Sequence, residues 1–150
     1  MRAVVQRVTQ ASVRIRQQIH AEIGQGLLIL LGIESKDSLE DVQWLAAKII
    51  HLRIFNDAQG VMNLSAEEIN GQCLVVSQFT LHASTKKGKR PSYIKAAPPA
   101  MAIPLYDAFI QTLKEISTLT VQSGIFGADM QIALINNGPV TLIIDTKNKD

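Results

Sequence analysis

Six residues near the middle of the chain, Ser77-Gln78-Phe79-Thr80-Leu81-His82, carry its densest set of groups able to do chemistry. They close a very apolar run, and polar groups at the end of a strand are a common place for a site to be assembled. Strand alternation puts Gln78, Thr80 and His82 on one face and Ser77, Phe79 and Leu81 on the other. Thr80 and His82 would then stand side by side as a hydroxyl nucleophile and its general base. No acidic residue nearby in the sequence is placed to orient that imidazole. Taken alone, the segment reads first as an ordinary strand end with satisfied hydroxyls.

Two further segments stand out. Gly138-Pro139 joins a residue with no Cβ, open to close approach, to one with no N–H for a sheet ladder; by itself this is a turn between strands. Lys86, Lys87, Lys89 and Arg90 put four cations into five residues, either a solvated loop or one that touches phosphates. The usual catalytic signatures are missing: there is no Gly-x-Ser-x-Gly elbow, no phosphate-binding glycine loop and no His-Glu-x-x-His helix. His20, His51 and His82 lie far apart, and a single cysteine makes no thiolate zinc site, so no metal is expected. Cys73 opens an apolar strand and reads as a buried, inert thiol.

The elements that must position these groups follow from apolar spacing. Ala11, Val13 and Ile15, then Ile19, Ala21 and Ile23, alternate with polar residues around Gln17-Gln18, which predicts a hairpin with one wet face. Residues 2–8 form a less cleanly patterned strand, and Gly26–Ile33 reads as a strand covered on both faces. Ser38 with Asp41 predicts a helix start, followed by the stripe Val42, Leu45, Ala46, Ile49 and Leu52. Asn56–Gly60 and Asn70-Gly71 are turns, and residues 73–82 return to strand character. Thr85–Pro99 is a long surface loop. A second helix is expected to begin near Pro104, with Tyr106, Phe109, Ile110, Leu113 and Ile116 as its apolar stripe. Strands at about Met130–Ile135 and Val140–Asp145 follow, joined by 136–139, and residues 146–150 form a frayed polar tail. Irregular alternation of helices and strands gives α+β: one domain over 1–150, a mostly antiparallel or mixed, barrel-like sheet, and two main helices packed on it.

Composition narrows the setting. The chain has 150 residues, 47% hydrophobic and 19% charged, which excludes intrinsic disorder and suits a single core. The longest aliphatic run, Leu27–Leu31, falls far short of the ~20 residues of a membrane span. No signal peptide is visible, and one cysteine fits a reducing cytosol. A net charge of +2 is too small to point to nucleic acid, so any such partner must be argued from local charge.

Read together, these segments resemble the D-aminoacyl-tRNA deacylase family, also called D-tyrosyl-tRNA deacylases. The likeness runs from Met1-Arg2-Ala3-Val4-Val5-Gln6-Arg7-Val8 through Gly26–Gly32, Arg53-Ile54-Phe55 and Met62-Asn63-Leu64-Ser65. Its most specific pieces are Ser77–Leu81, Gly124-Ile125-Phe126-Gly127-Ala128-Asp129-Met130 and Asn137-Gly138-Pro139-Val140-Thr141. The resemblance implies hydrolysis of the ester joining a D-amino acid to the tRNA 3′ end, with no cofactor, in the cytoplasm. It also implies a homodimer in which each subunit completes the other's pocket through a cis Gly138-Pro139 pair. The carbonyls of that pair would face the substrate's α-amino group, and its bulk would exclude an L side chain but not glycine.

By the same resemblance Ser77, Gln78, Phe79 and Thr80 line the site for the terminal adenosine and the ester, flanked by Phe126 and Met130. Gln78 and Thr80 are the catalytic candidates, with Thr80 positioning the ester and stabilising the oxyanion. The ribose 2′-OH would assist proton transfer. Lys86, Lys87, Lys89 and Arg90 would grip tRNA phosphates. Two positions depart from the family pattern: His82 stands where tyrosine is common, and Asn137 where aspartate is frequent. Two other readings are a non-catalytic tRNA-binding domain of the same fold and a small-molecule hydrolase using Thr80 with His82.

Overall fold

The computed structural model describes residues 1–149. The alternating N-terminal pattern forms one strand, β1 (Arg2–Ile15), followed by β2 (Gln18–Ile23) and β3 (Gly26–Gly32). The uneven pattern of residues 2–8 has a physical cause. Pairing of β1 with the last strand slips between Gln6 and Val8 and again between Val8 and Gln10. Ala3 and Val5 face one apolar cluster and Val8 a second by alternation, and the slip between Val8 and Gln10 keeps Ala11 and Val13 on the second. One strand thus serves two cores. β3 does the same by simple alternation, sending Leu27, Ile29 and Leu31 into the first cluster and Leu28 into the second.

Helix α1 (Leu39–Ile50) starts as Ser38 and Asp41 predict, with the Asp41 carboxylate accepting the Ser38 backbone N–H at 2.9 Å. Strands β4 (Phe55–Asn56) and β5 (Met62–Leu64) form a small separate hairpin, β6 is Gln72–Ser77, α2 is Pro99–Ile116, β7 is Thr120–Ser123 and β8 is Gln131–Asp145. The main sheet runs β2-β1-β3-β6-β7, with β8 on the other side of β1. It is mixed, since β3–β6 and β6–β7 are parallel pairs and the rest antiparallel. Both helices cover the first cluster, through Val42, Leu45 and Ile49 of α1 and Phe109 and Leu113 of α2. The fold is the expected α+β, a nearly closed, barrel-like sheet with two helices. Cys73 is fully buried in it, which pushes its thiol up to about 12.

Several boundaries correct the sequence expectations. α2 begins at Pro99, with proline at the first helical position as the rule allows; Pro104 lies inside the helix instead of opening it. The strands expected at 130–135 and 140–145 are one strand, β8, carried past Gly138-Pro139 by its pairing with β1. β7, only four residues long, leaves too short a pattern to read. The tail is not frayed over residues 146–149: Thr146 is buried and accepts a hydrogen bond from the Met1 ammonium at 2.7 Å, and Lys147 lies 2.8 Å from Asp41. The Met1 ammonium is also paired with the fully buried Asp37. Asp150 lies outside the described residues.

Candidate active site

The three parallel strands point their carboxyl ends the same way, at Gly32, Ser77 and Ser123. Ends of parallel strands leave backbone groups and loop residues facing a common crevice. Here β6 runs into Gln78 and a 3₁₀ turn, Phe79–His82, and β7 runs into the loop 124–130. Between them lies a cleft of about 310 Å³. Ser77, Gln78 and Phe79 form one side; Phe126, Gly127, Asp129 and Met130 form the other. Hollows of about 480 and 640 Å³ elsewhere are larger but hold neither strand end.

The packing beneath fixes both walls. Gln78 N–H donates to the Leu31 carbonyl at 2.7 Å and Gly124 N–H to the Val75 carbonyl at 3.0 Å, so each loop is tied to its neighbouring strand. Tyr106 of α2 donates its hydroxyl to the same Val75 carbonyl at 3.0 Å and meets the Phe126 ring edge-on, 5.7 Å between centroids. Burial pushes the Tyr106 hydroxyl well above its ordinary pKa, so it stays a neutral donor. By its spacing alone Tyr106 is one more residue of the apolar stripe of α2.

The 3₁₀ turn corrects the strand reading of residues 78–82. The strand stops at Ser77, so alternation no longer orders Gln78, Thr80 and His82 on one face. His82 is buried and packs beside Gly32, and its Nε2 has no hydrogen-bond partner among the described residues. Thr80 is half-buried and does not line the cleft; its Oγ1 accepts the Gln78 side-chain N–H at 2.6 Å. A Thr80–His82 nucleophile and base pair is therefore not formed. A hydroxyl oxygen that accepts an amide N–H has its own O–H free to donate, which suits a hydrogen-bond donor better than a nucleophile. The backbone N–H groups of Phe79 and Thr80 have no acceptor among the described residues. No group of three or more His, Cys, Asp or Glu side chains is placed to hold a metal among the described residues.

The Gly138-Pro139 bond is cis, Gly138 has φ +135°, and both residues are exposed. They stand outside the cleft of their own chain. Their loop is held from two sides. Asn136 accepts the Val140 N–H at 2.8 Å and donates to Thr141 Oγ1 at 2.9 Å. Arg7, buried in β1, donates through Nε to the Asn137 carbonyl at 2.8 Å and through Nη1 to the Ile54 carbonyl at 2.6 Å. A Cβ on Gly138 would come within 2.9 Å of Arg7 Nη2 and of Val140 Cγ2, so a side chain there would have to displace one of them, and the positive φ already favours glycine. Arg7 was not singled out in the sequence, yet the signal existed: it shares the inward phase of Ala3 and Val5.

Lys86, Lys87, Lys89 and Arg90 are exposed at the tip of a loop closed by two backbone bonds between Ser84 and Ser92, of 2.8 and 2.9 Å. Gly88, at φ +68°, makes the turn. None of the four lines the cleft.

The sequence profile of the family described as D-Tyr-tRNA(Tyr) deacylase matches residues 4–145. A D-aminoacyl-tRNA deacylase of Porphyromonas gingivalis is 59% identical over 150 residues, covering all of both chains. One of Flavobacterium psychrophilum is 61% identical over the same span, again covering all of both. Among solved structures, the c-Myc DNA unwinding element binding protein superposes with a TM-score of 0.93 at 36% identity, over 97% of this chain and 99% of its own. A probable eukaryotic D-amino acid tRNA deacylase superposes at 0.78 over 95% and 97%, and at 17% identity that likeness speaks for the fold.

Proposed function

Because the chain belongs to the D-Tyr-tRNA(Tyr) deacylase family, it is a hydrolase of the aminoacyl-tRNA ester, and we propose that it removes D-amino acids in the cleft at the ends of β6 and β7. The observation that carries this placement is that Gln78, which lines the cleft, is held by a hydrogen bond to Thr80 just behind it, beside the unpartnered N–H groups of Phe79 and Thr80. These donors suit the oxyanion that forms when water adds to the ester carbonyl. Each such donor typically contributes about 2.7–4 kcal/mol to the transition state.

Water attacks the carbonyl carbon, and the tetrahedral intermediate collapses with cleavage of the bond to the ribose 3′ oxygen. That oxygen takes up the proton lost by water, relayed by the neighbouring 2′-OH, and free amino acid and tRNA leave. An aminoacyl ester is already activated, so positioning and oxyanion stabilisation suffice without a covalent nucleophile. Ser77, Phe79, Phe126 and Met130 hold the terminal adenosine.

Gly138 and Pro139 of a second copy complete the cleft. Support for this comes from their exposure, their position outside their own cleft and the fixing of their loop by Arg7 and Asn136. The two carbonyls receive the substrate's α-ammonium, and the backbone blocks an L side chain, leaving glycine unrejected. Lys86, Lys87, Lys89 and Arg90 meet acceptor-end phosphates. No helix among the described residues is long and apolar enough to cross a membrane, and the substrate places the enzyme in the cytoplasm, where tRNA is charged.

Incubation of D-Tyr-tRNA and L-Tyr-tRNA with the purified protein tests the reading. Release from the D form alone is expected; equal release from both, or none from the D form, overturns it. A tRNA ending in 2′-deoxyadenosine tests the relay, and unimpaired hydrolysis of it removes the 2′-OH from the mechanism.

A further inference from the structure

We propose that Tyr93, braced by Phe79, is a second base subsite, on which the nucleotide preceding the terminal adenosine stacks; this rests on the reading of the adjacent cleft as the ester site. Phe79 borders the cleft but is 54% exposed, and Tyr93 is 40% exposed. Their centroids lie 5.0 Å apart with planes at 72°, an edge-to-face contact that leaves each ring a π-face uncovered by the other. The chain holds only two tyrosines, and the other, Tyr106, is buried with its hydroxyl bonded to a backbone carbonyl. Tyr93 spends its apolar ring on the surface instead.

Its position is fixed by the chain on both sides. The two Ser84–Ser92 backbone bonds close the loop immediately before it, so the loop whose tip carries the four cations of 86–90 springs from the residue adjoining Tyr93. The cleft meets Phe79, Phe79 meets Tyr93, and the chain leads from Tyr93 directly into the neck of the basic loop. A single-stranded RNA 3′ end presents the matching series of esterified nucleoside, next base and phosphates. Aromatic rings that stack bases, combined with cations along the backbone, are the general means of binding single strands, and stacking tolerates any base. Tyr93 on this account distinguishes tRNA from a bare aminoacyl nucleoside, and has no part in choosing the amino acid.

The test compares D-Tyr-tRNA with 3′-O-(D-tyrosyl)adenosine, which has no preceding nucleotide. In Tyr93→Ala the ratio of kcat/KM for the tRNA over the nucleoside is expected to fall about 5- to 100-fold, carried by KM, while Tyr93→Phe keeps the wild-type ratio. An equal loss on both substrates would make Tyr93 a prop for Phe79 and overturn the subsite. So would a loss in Tyr93→Phe as large as in Tyr93→Ala. A measurement on wild-type protein guards against misfolded variants: an abasic nucleotide before the terminal adenosine is expected to raise KM by a similar factor, and indifference to it overturns the proposal. Failure of the underlying reading looks different, since the wild type would then hydrolyse neither D-tyrosyl substrate.

Discussion

Arg7 and Asn137 are 130 residues apart in sequence and joined by one hydrogen bond, from Arg7 Nε–H to the Asn137 carbonyl at 2.8 Å. The other arm of the same guanidinium binds the Ile54 carbonyl at 2.6 Å, and its Nη2 fills the space a side chain at position 138 would need. A buried arginine is tolerable because its donors meet carbonyls, and its planar fork reaches two of them at once. Arg7 thereby sets where Gly138-Pro139 projects.

Arg7→Ala is expected to leave two carbonyls unsatisfied, costing about 1–3 kcal/mol of stability by urea unfolding. The catalytic effect is read separately. A misplaced Gly138-Pro139 lowers kcat/KM for D-Tyr-tRNA by ~10²-fold and narrows the D-over-L ratio. Arg7→Lys, a point charge without the fork, should not restore that ratio. An Arg7→Ala protein that folds and still discriminates fully would detach Arg7 from selectivity.

For Thr80 the structure leaves a donor role. Thr80→Ala is expected to lower kcat by ~100- to 1000-fold, the usual range for one oxyanion donor, and Thr80→Ser to recover most of it. Rapid-quench kinetics on the wild type should show no burst of released tRNA ahead of free amino acid. A burst, or a loss of 10⁴-fold or more in Thr80→Ala, would reinstate covalent catalysis.

What the sequence revealed depended on how local each interaction is. The β1–β2 hairpin and α1 were legible because alternation, the three-four stripe and the Ser38–Asp41 pair act within a few residues. The 3₁₀ turn at 79–82 is not, because Phe79-Thr80-Leu81 suits a strand equally well by residue type. The bonds that make the turn, Leu81 N–H to the Gln78 carbonyl and Ala83 N–H to the Thr80 carbonyl, leave no mark in apolar spacing. Ser77, Gln78, Phe79, Phe126 and Met130 are site residues by the family resemblance, and the structure brings them to one cleft. Thr80 sits just behind it through Gln78. Spacing marks Arg7 and Tyr106 as inward-facing, but their roles are hydrogen bonds to distant carbonyls, and the identity of those partners is not encoded in any residue spacing.

The basic loop makes a prediction about salt. For single-stranded nucleic acid, each neutralised phosphate contributes about 0.7 to the slope of log affinity against log salt. Replacing Lys86 and Lys87 together by alanine is expected to flatten that slope for D-Tyr-tRNA by about 1.4, with the affinity difference closing at high salt. On D-tyrosyl-adenosine, which has no phosphate, the same variant should match the wild type at every salt concentration. An unchanged slope for tRNA would return these lysines to plain solvated charge.

Asp41 links the start of α1 to the C-terminal residues, and its titration gives a pH test. Burial alone would raise its pKa, but hydrogen bonds from Lys147, Thr146 and Ser38 together outweigh that and hold it far below the ordinary carboxylate value of ~3.9. A carboxylate depressed in the folded state stabilises fully above its unfolded pKa, and the contribution is lost as pH falls below about 4 toward the folded value. Asp41→Asn keeps an acceptor for the Ser38 N–H but loses the charge facing Lys147. It is expected to cost about 1–2 kcal/mol at pH 7, since Lys147 is partly exposed and its pairing screened. Urea midpoints measured from pH 7 down to pH 2.5 should show the two proteins converging below pH 4. A gap that stays constant to the lowest pH would mean that the carboxylate's charge does not hold the C-terminal residues against α1.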